Sequence, residues 1–315
     1  MNNREQRAED RIQNTEVRSQ KFPLKKCGSY YRLLSYCLLF PAYCLLFLTG
    51  CGSTPATLSD MHVKAIDIHQ SGEKAFKRGD YKTSLKLYSD ALRINRSIEN
   101  IDGIAINLMN LATVHRKLGE RDNALQCIDE ILNSSSLSFT QHRLSEASYL
   151  KAILYLDNGQ MDTSLEWSDK ALSFCQQTKC GTEGRIYNLK AKISLLKQEL
   201  DNALQCGAKG LDFNKNFEDN QEIANSIRLM AEAKTAKKEY LDARKLYEEA
   251  MQIDKASGLT NKIAFDLVGI GQVFLHEGKK EEALRYFKRA LSISESSGNA
   301  KGIADVKNII EKVRK

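Results

Sequence analysis

Proline is almost absent from this chain. Its 315 residues include three, Pro23, Pro41 and Pro55, and the 260 residues after Pro55 have none, although about 5% is usual. Proline breaks helix interiors and marks turns, so this long stretch without it predicts an all-helical body behind an N-terminal segment of another kind. Other absences narrow the function. There is no Gly-x-Ser-x-Gly elbow, no Walker loop and no zinc-protease helix motif. Asp and Glu are spread among lysines and arginines, with no isolated pair to serve as acid and base. The expectation is a protein that is not an enzyme and holds no cofactor. The five histidines are scattered; His69 and Glu73 stand four residues apart but lack a third ligand, so no metal site is expected. What is present, 42% hydrophobic and 28% charged residues, excludes wholesale disorder and a polytopic membrane protein.

The formal charge of +7 divides unevenly. Residues 1–50 hold 8 basic and 4 acidic side chains, leaving 39 and 36 in the rest, a net of +3, so the case for a nucleic-acid partner largely disappears. Residues 1–32 are polar and basic, and an apolar run of sixteen follows from Leu33 to Leu48, interrupted by Pro41. That is short of the roughly 20 residues a spanning helix needs and fits the core of a signal peptide. The run ends in Leu48-Thr49-Gly50-Cys51, which resembles the lipobox of bacterial lipoproteins. The resemblance implies cleavage before Cys51 and a diacylglycerol on its thiol, and so a membrane partner reached through the lipid; the other reading is an uncleaved anchor with Cys51 an ordinary thiol. Gly52 stands where an aspartate would resemble the inner-membrane retention signal, which favours the outer membrane, facing the periplasm of a bacterial cell envelope. The expected organisation is a signal peptide with a long basic start over 1–50 and a lipidated linker over 51–64.

Beyond the linker the chain repeats itself. Asp122-Asn123-Ala124-Leu125-Gln126-Cys127 recurs unchanged at 201–206. Aligned on a small residue before an aliphatic one, six units end at Ala91-Leu92, Ile131-Leu132, Ala171-Leu172, Gly210-Leu211, Ala250-Met251 and Ala290-Leu291, at intervals of 40, 40, 39, 40 and 40 residues. Seven residues before each pair stands Ser84, Ala124, Ser164, Ala203, Ala243 or Ala283, and nineteen before it Gly72, Ala112, Ala152, Ala191, Ala231 or Gly271. Tyr88, Tyr247 and Phe287 stand three before. Small residues permit close helix approach and large ones fill the space between, so each unit is two amphipathic helices packed antiparallel. Gly79, Gly119, Gly159 and Gly278 mark the turn within a unit, where units four and five have Gln198 and Lys238. The pattern resembles the tetratricopeptide repeat, whose usual unit of 34 residues ends near a proline. Here the unit is 40 and the proline is missing, as in the extended repeats of kinesin light chains and of certain bacterial peptide-sensing regulators. The resemblance implies an all-α fold, a right-handed superhelix of six helix pairs over 65–298, with a capping helix over 299–315.

It also implies a function: an interaction scaffold or adaptor that takes protein or peptide ligands in a concave groove lined by the first helices, or alternatively a peptide-sensing regulatory module. The family's groove positions fall on Phe76 in unit one, on Met109, Asn110 and Arg116 in unit two, and on Tyr149 and Ile153 in unit three. They continue at Asn188 and Lys192, at Arg228 and Glu232, and at Gln272. Asn110 resembles the asparagine with which extended repeats grip a peptide backbone, and Tyr149 and Arg228 are types enriched at interface hot spots. The chaperone-tail clamp of the family needs lysine and asparagine in the first unit, where this chain has His69 and Glu73. Cys127 and Cys206 occupy equivalent positions two units apart, too far for a disulfide, and read as small buried hydrophobes. Cys175 and Cys180, five residues apart across a helix exit, are either a disulfide or two free thiols.

Overall fold

The computed structural model describes residues 59–176 and 180–314. The 1–50 leader, Cys51 and the linker as far as residue 58 lie outside the described residues, while 60–64 of the expected linker belong to the first helix. Thirteen helices and no strand make up the described part. The first pair is α1 (Asp60–Lys77) and α2 (Tyr81–Ser97), followed by α3 (Ile101–Leu118) with α4 (Arg121–Leu132), and α5 (Gln141–Asp157) with α6 (Met161–Cys175). The later pairs are α7 (Glu183–Leu196) with α8 (Leu200–Asn216), α9 (Asn220–Ala236) with α10 (Tyr240–Ala256), and α11 (Thr260–His276) with α12 (Lys280–Ser296). A single helix, α13 (Ala300–Arg314), closes the array by burying Val306 and Ile310 on the last pair while its lysines stay in water. Helix α1 starts five residues ahead of the expected 65, because Ser59 caps it: its Oγ accepts from the His62 N–H at 3.3 Å.

Within each pair the small and large positions interlock. A Cβ placed on Gly72 would lie 2.9 Å from the Tyr88 ring, and one on Gly271 would lie 2.5 Å from the Phe287 ring, so each glycine is the hollow its aromatic fills. Serine at the seven-before position adds a bond across the pair. Ser84 Oγ donates to the Gly72 carbonyl at 3.1 Å and Ser164 Oγ to the Ala152 carbonyl at 2.7 Å, both fully buried. The second and third units are joined less tightly: α4 stops at Leu132 and residues 133–140 run outside any helix.

Each turn inside a pair hangs on one left-handed residue. Gly79, Gly119, Gly159 and Gly278 have φ between 74° and 78°, and Gln198 and Lys238 adopt the same conformation at 61° and 64°. The two departures from glycine therefore keep the turn and carry its strain, about 1–2 kcal/mol for a residue with a Cβ. Glycine gives back part of that through its larger unfolded-state entropy. Gln198→Gly and Lys238→Gly are each expected to stabilise the protein by about 0.5–1 kcal/mol, read as a raised urea midpoint; an unchanged or lowered midpoint would contradict it.

Candidate binding groove

Four first helices, α5, α7, α9 and α11, share a cavity of about 530 Å3. Seven of the eleven groove residues expected from the sequence line it: Arg116, at the end of α3, then Tyr149, Ile153, Asn188, Lys192, Arg228 and Glu232. Gln272 walls an adjoining cavity of about 550 Å3 with Tyr247 and Val268, and Glu232 and Phe265 stand in the walls of both. The other three do not reach either cavity. Met109 is buried in the core of the first units, 8% exposed, and Phe76 packs its ring on Tyr81 with centroids 5.5 Å apart. Both are apolar side chains at positions where neighbouring helices leave room, so they serve packing rather than the groove. Asn110, expected to grip a peptide backbone, lies half-buried on α3 outside both cavities.

The lining residues are held by the period itself. A residue 22 before the closing pair of one unit meets a residue 24 before that of the next, 38 positions along the chain. His69 Nδ1 lies 3.1 Å from Asn107 Oδ1, Ser226 Oγ donates to Asn188 Oδ1 at 2.7 Å, and Arg228 Nε donates to Asp266 Oδ1 at 2.6 Å. The remaining register pairs are Met109 with Ala147, Val268 with Val306 and, 37 apart across the one 39-residue interval, Tyr149 with Ile186. Asn188 also donates to the Glu222 carbonyl at 3.1 Å and to its carboxylate at 2.9 Å, so its amide is fully engaged inside the protein.

Arg228 corrects the sequence reading most sharply. Expected as a hot spot facing a partner, it is only 4% exposed and sits between two fully buried aspartates. Its guanidinium bonds Asp266, Asp254 and, at 2.7 Å, Asn225 Oδ1. One edge forms part of the cavity floor, but the side chain is a strut joining α9, α10 and α11. The groove face it leaves is supplied by Phe265, 50% exposed, whose ring lies 5.6 Å from the guanidinium carbon. Phe265, Asn225 and Arg185 form a second row of lining residues that the sequence reading missed. They stand 25 before the closing pair, three ahead of the Asn188 and Arg228 row, and helical geometry puts i and i+3 on one face. Extending the expected row by one turn would have found them.

Elsewhere, His69 packs against the Tyr88 ring at a tilt of 49° and Glu73 pairs with Lys77 at 2.8 Å, so each has its own partner. Among the described residues no group of three or more His, Cys, Asp or Glu is placed to hold a metal, and no helix is long and apolar enough to cross a membrane. Cys175 and Cys180 are joined in a disulfide with Cα atoms 5.3 Å apart, beside the α6 to α7 connection. Cys206 is buried and Cys127 partly so; burial pushes the Cys127 thiol up to about 11.

These features define a helical-repeat protein with a groove across its first helices. Residues 222–296, which are α9 to α12, match the tetratricopeptide repeat family. None of the curated proteins matches its sequence. Solved structures share its fold. The structure of BtubC (BKLC) from P. vanneervenii is 18% identical with a TM-score of 0.53, over 77% of this chain and 94% of that one. The signal-transduction ATPase with a tetratricopeptide repeat sensor, PH0952 from Pyrococcus horikoshii, is 15% identical with a TM-score of 0.59, over 77% of this chain and 37% of that one. A Rap protein complexed with Competence and Sporulation Factor is 13% identical with a TM-score of 0.54, over 80% of this chain and 76% of that one.

The buried triad sets a pH dependence. Burial pushes the Asp266 carboxyl up from 3.8 to about 6; Arg228 pulls it down and Asp254 pushes it up again. Asp254 Oδ1 has no hydrogen-bond partner. A carboxyl raised on folding stabilises below its unfolded value and loses that contribution as pH rises through its folded value. Asp254→Asn leaves Arg228 and Asp266 as a one-to-one pair. The variant is expected to gain on the wild type by roughly 1–2 kcal/mol between about pH 4 and about pH 7.5, read from urea unfolding. A difference that stays constant across that range would contradict the assignment.

Proposed function

We propose that this protein is a non-enzymatic adaptor that docks a segment of another protein in the groove of α5, α7, α9 and α11 and is held at a bacterial envelope membrane by lipid on Cys51. The observation that carries the docking half is the cavity of about 530 Å3 crossing four successive units. Its lining mixes an exposed aromatic ring, aliphatic side chains and polar groups, the composition of a recognition surface. A peptide-sensing module would use the same groove, and the neighbour solved with Competence and Sporulation Factor favours keeping that reading. A change in the spacing of the first helices on binding would distinguish it from a rigid adaptor. The anchoring half rests on the Leu48-Thr49-Gly50-Cys51 sequence behind an apolar run.

Lys192 and Phe265 are exposed on the groove and make no hydrogen bond or ion pair with a described residue; the Phe265 ring lies over Arg228, but changing both leaves the ion pairs of the triad in place. Crosslinking in intact cells followed by recovery of the protein is expected to yield at least about tenfold less partner from Lys192→Ala with Phe265→Ala than from the wild type, at equal helix content. Equal recovery would remove the groove assignment. For the anchor, Cys51→Ser is expected to move the protein from the membrane fraction to the soluble fraction; an unchanged membrane fraction would remove lipidation.

A further inference from the structure

Most charged groups lining the groove are already bonded. Arg116 pairs with Asp157, Arg185 lies 3.6 Å from Glu146, Glu222 accepts from Asn188, and Arg228 is held by its two aspartates. Lys262, half-buried, donates to Asn225 Oδ1 at 3.1 Å. Two groups are different. Lys192 on α7 is exposed and Glu232 on α9 is half-buried, and neither makes a hydrogen bond or ion pair with a described residue.

The two share one register position, 18 before Gly210 and Ala250, so they face the same groove from neighbouring first helices. At that position Glu73 of unit one is bonded to Lys77 at 2.8 Å, Thr113 of unit two donates to the Met109 carbonyl at 2.9 Å, unit three has Ile153 and unit six the exposed, uncharged Gln272. Units four and five thus set a free cation beside a free anion. Burial raises the Glu232 carboxyl, while Arg228 and Lys192 nearby pull it the other way. A partly desolvated carboxylate with no bonded counterion costs the free protein, and a ligand cation relieves that cost. Phe265 stands in the same walls and offers apolar surface to the stem of an incoming lysine or arginine.

Resting on the docking function above, we propose that the groove selects an extended peptide segment of mixed sign, in which an acidic residue that meets Lys192 stands about three positions from a basic residue that meets Glu232. Neighbouring packed helices lie about 8–10 Å apart. An extended chain in the polyproline II conformation rises about 3.1 Å per residue and returns to the same face every three residues, so side chains three positions apart span that distance on one side. Like-charged pairs in the ligand would set one of the two against its own sign.

The test is fluorescence anisotropy of the full chain with 12-residue peptides of alanine and leucine carrying Asp-x-x-Arg, Asp-x-x-Asp, Arg-x-x-Arg or Gln-x-x-Gln at the centre. The wild type is expected to bind the Asp-x-x-Arg peptide at least about tenfold tighter than the other three. Lys192→Glu is expected to turn the preference to Arg-x-x-Arg, and Glu232→Lys to Asp-x-x-Asp. Glu232→Gln, a milder change should the lysine variant not fold, is expected to erase the advantage of the mixed peptide over Asp-x-x-Asp. Peptides that bind without a charge ranking, or variants that keep the wild-type ranking, would overturn the selectivity while leaving the groove in place. If none of the four binds, both the selectivity and the groove fail.

Discussion

Contacts between side chains 38 residues apart link α1 to α3, α7 to α9 and α9 to α11, and the groove wall rests on the last two. The 40-residue unit makes this possible: it returns the same face of every first helix to the same place, so a residue that walls the groove also reaches across to the following unit. Where the pair is apolar it is simply packed. Where it is polar it must be satisfied, and the protein does so fully at Asn188 with Ser226 and, apart from Asp254 Oδ1, at Arg228 with Asp254 and Asp266. Removing Arg228 leaves two buried carboxylates without their cation, a loss of about 3–5 kcal/mol, so the joint between units five and six depends on that one side chain.

The same economy decides what the groove can recognise. Groups that bond inside the protein present a fixed surface, while groups with no internal partner wait for one. Of the charged residues on the groove, nearly all belong to the first kind, which leaves its selectivity to a few positions and its rigidity to the rest. The strained turns at Gln198 and Lys238 fall in the units that carry those positions, and they do not alter the turn itself.

Much of the architecture was legible in the sequence because period is legible. The spacing of small and aromatic residues gave six pairs and a cap, and Gly72 with Tyr88 and Gly271 with Phe287 meet as that spacing implies. The groove was legible only in part. The position rows led to Tyr149, Asn188 and Lys192, yet the same rows contained Met109, which an apolar neighbourhood draws into the core. Arg228 could not be read as a strut from its own surroundings in the chain, since its partners are 26 and 38 residues away. Reading the columns against each other would have placed Asp254 and Asp266 beside it. Phe265 was missed for a simpler reason, that the groove face is one helical turn wider than the rows considered.

Amide hydrogen exchange of the wild type against Arg228→Met shows whether nearest-neighbour links between units hold the array together: protection is expected to fall in α9, α10 and α11 and to fade towards the capping helix, with α1 to α5 exchanging as before. Protection lost evenly along the whole chain, or not lost at all in α10 and α11, would contradict it.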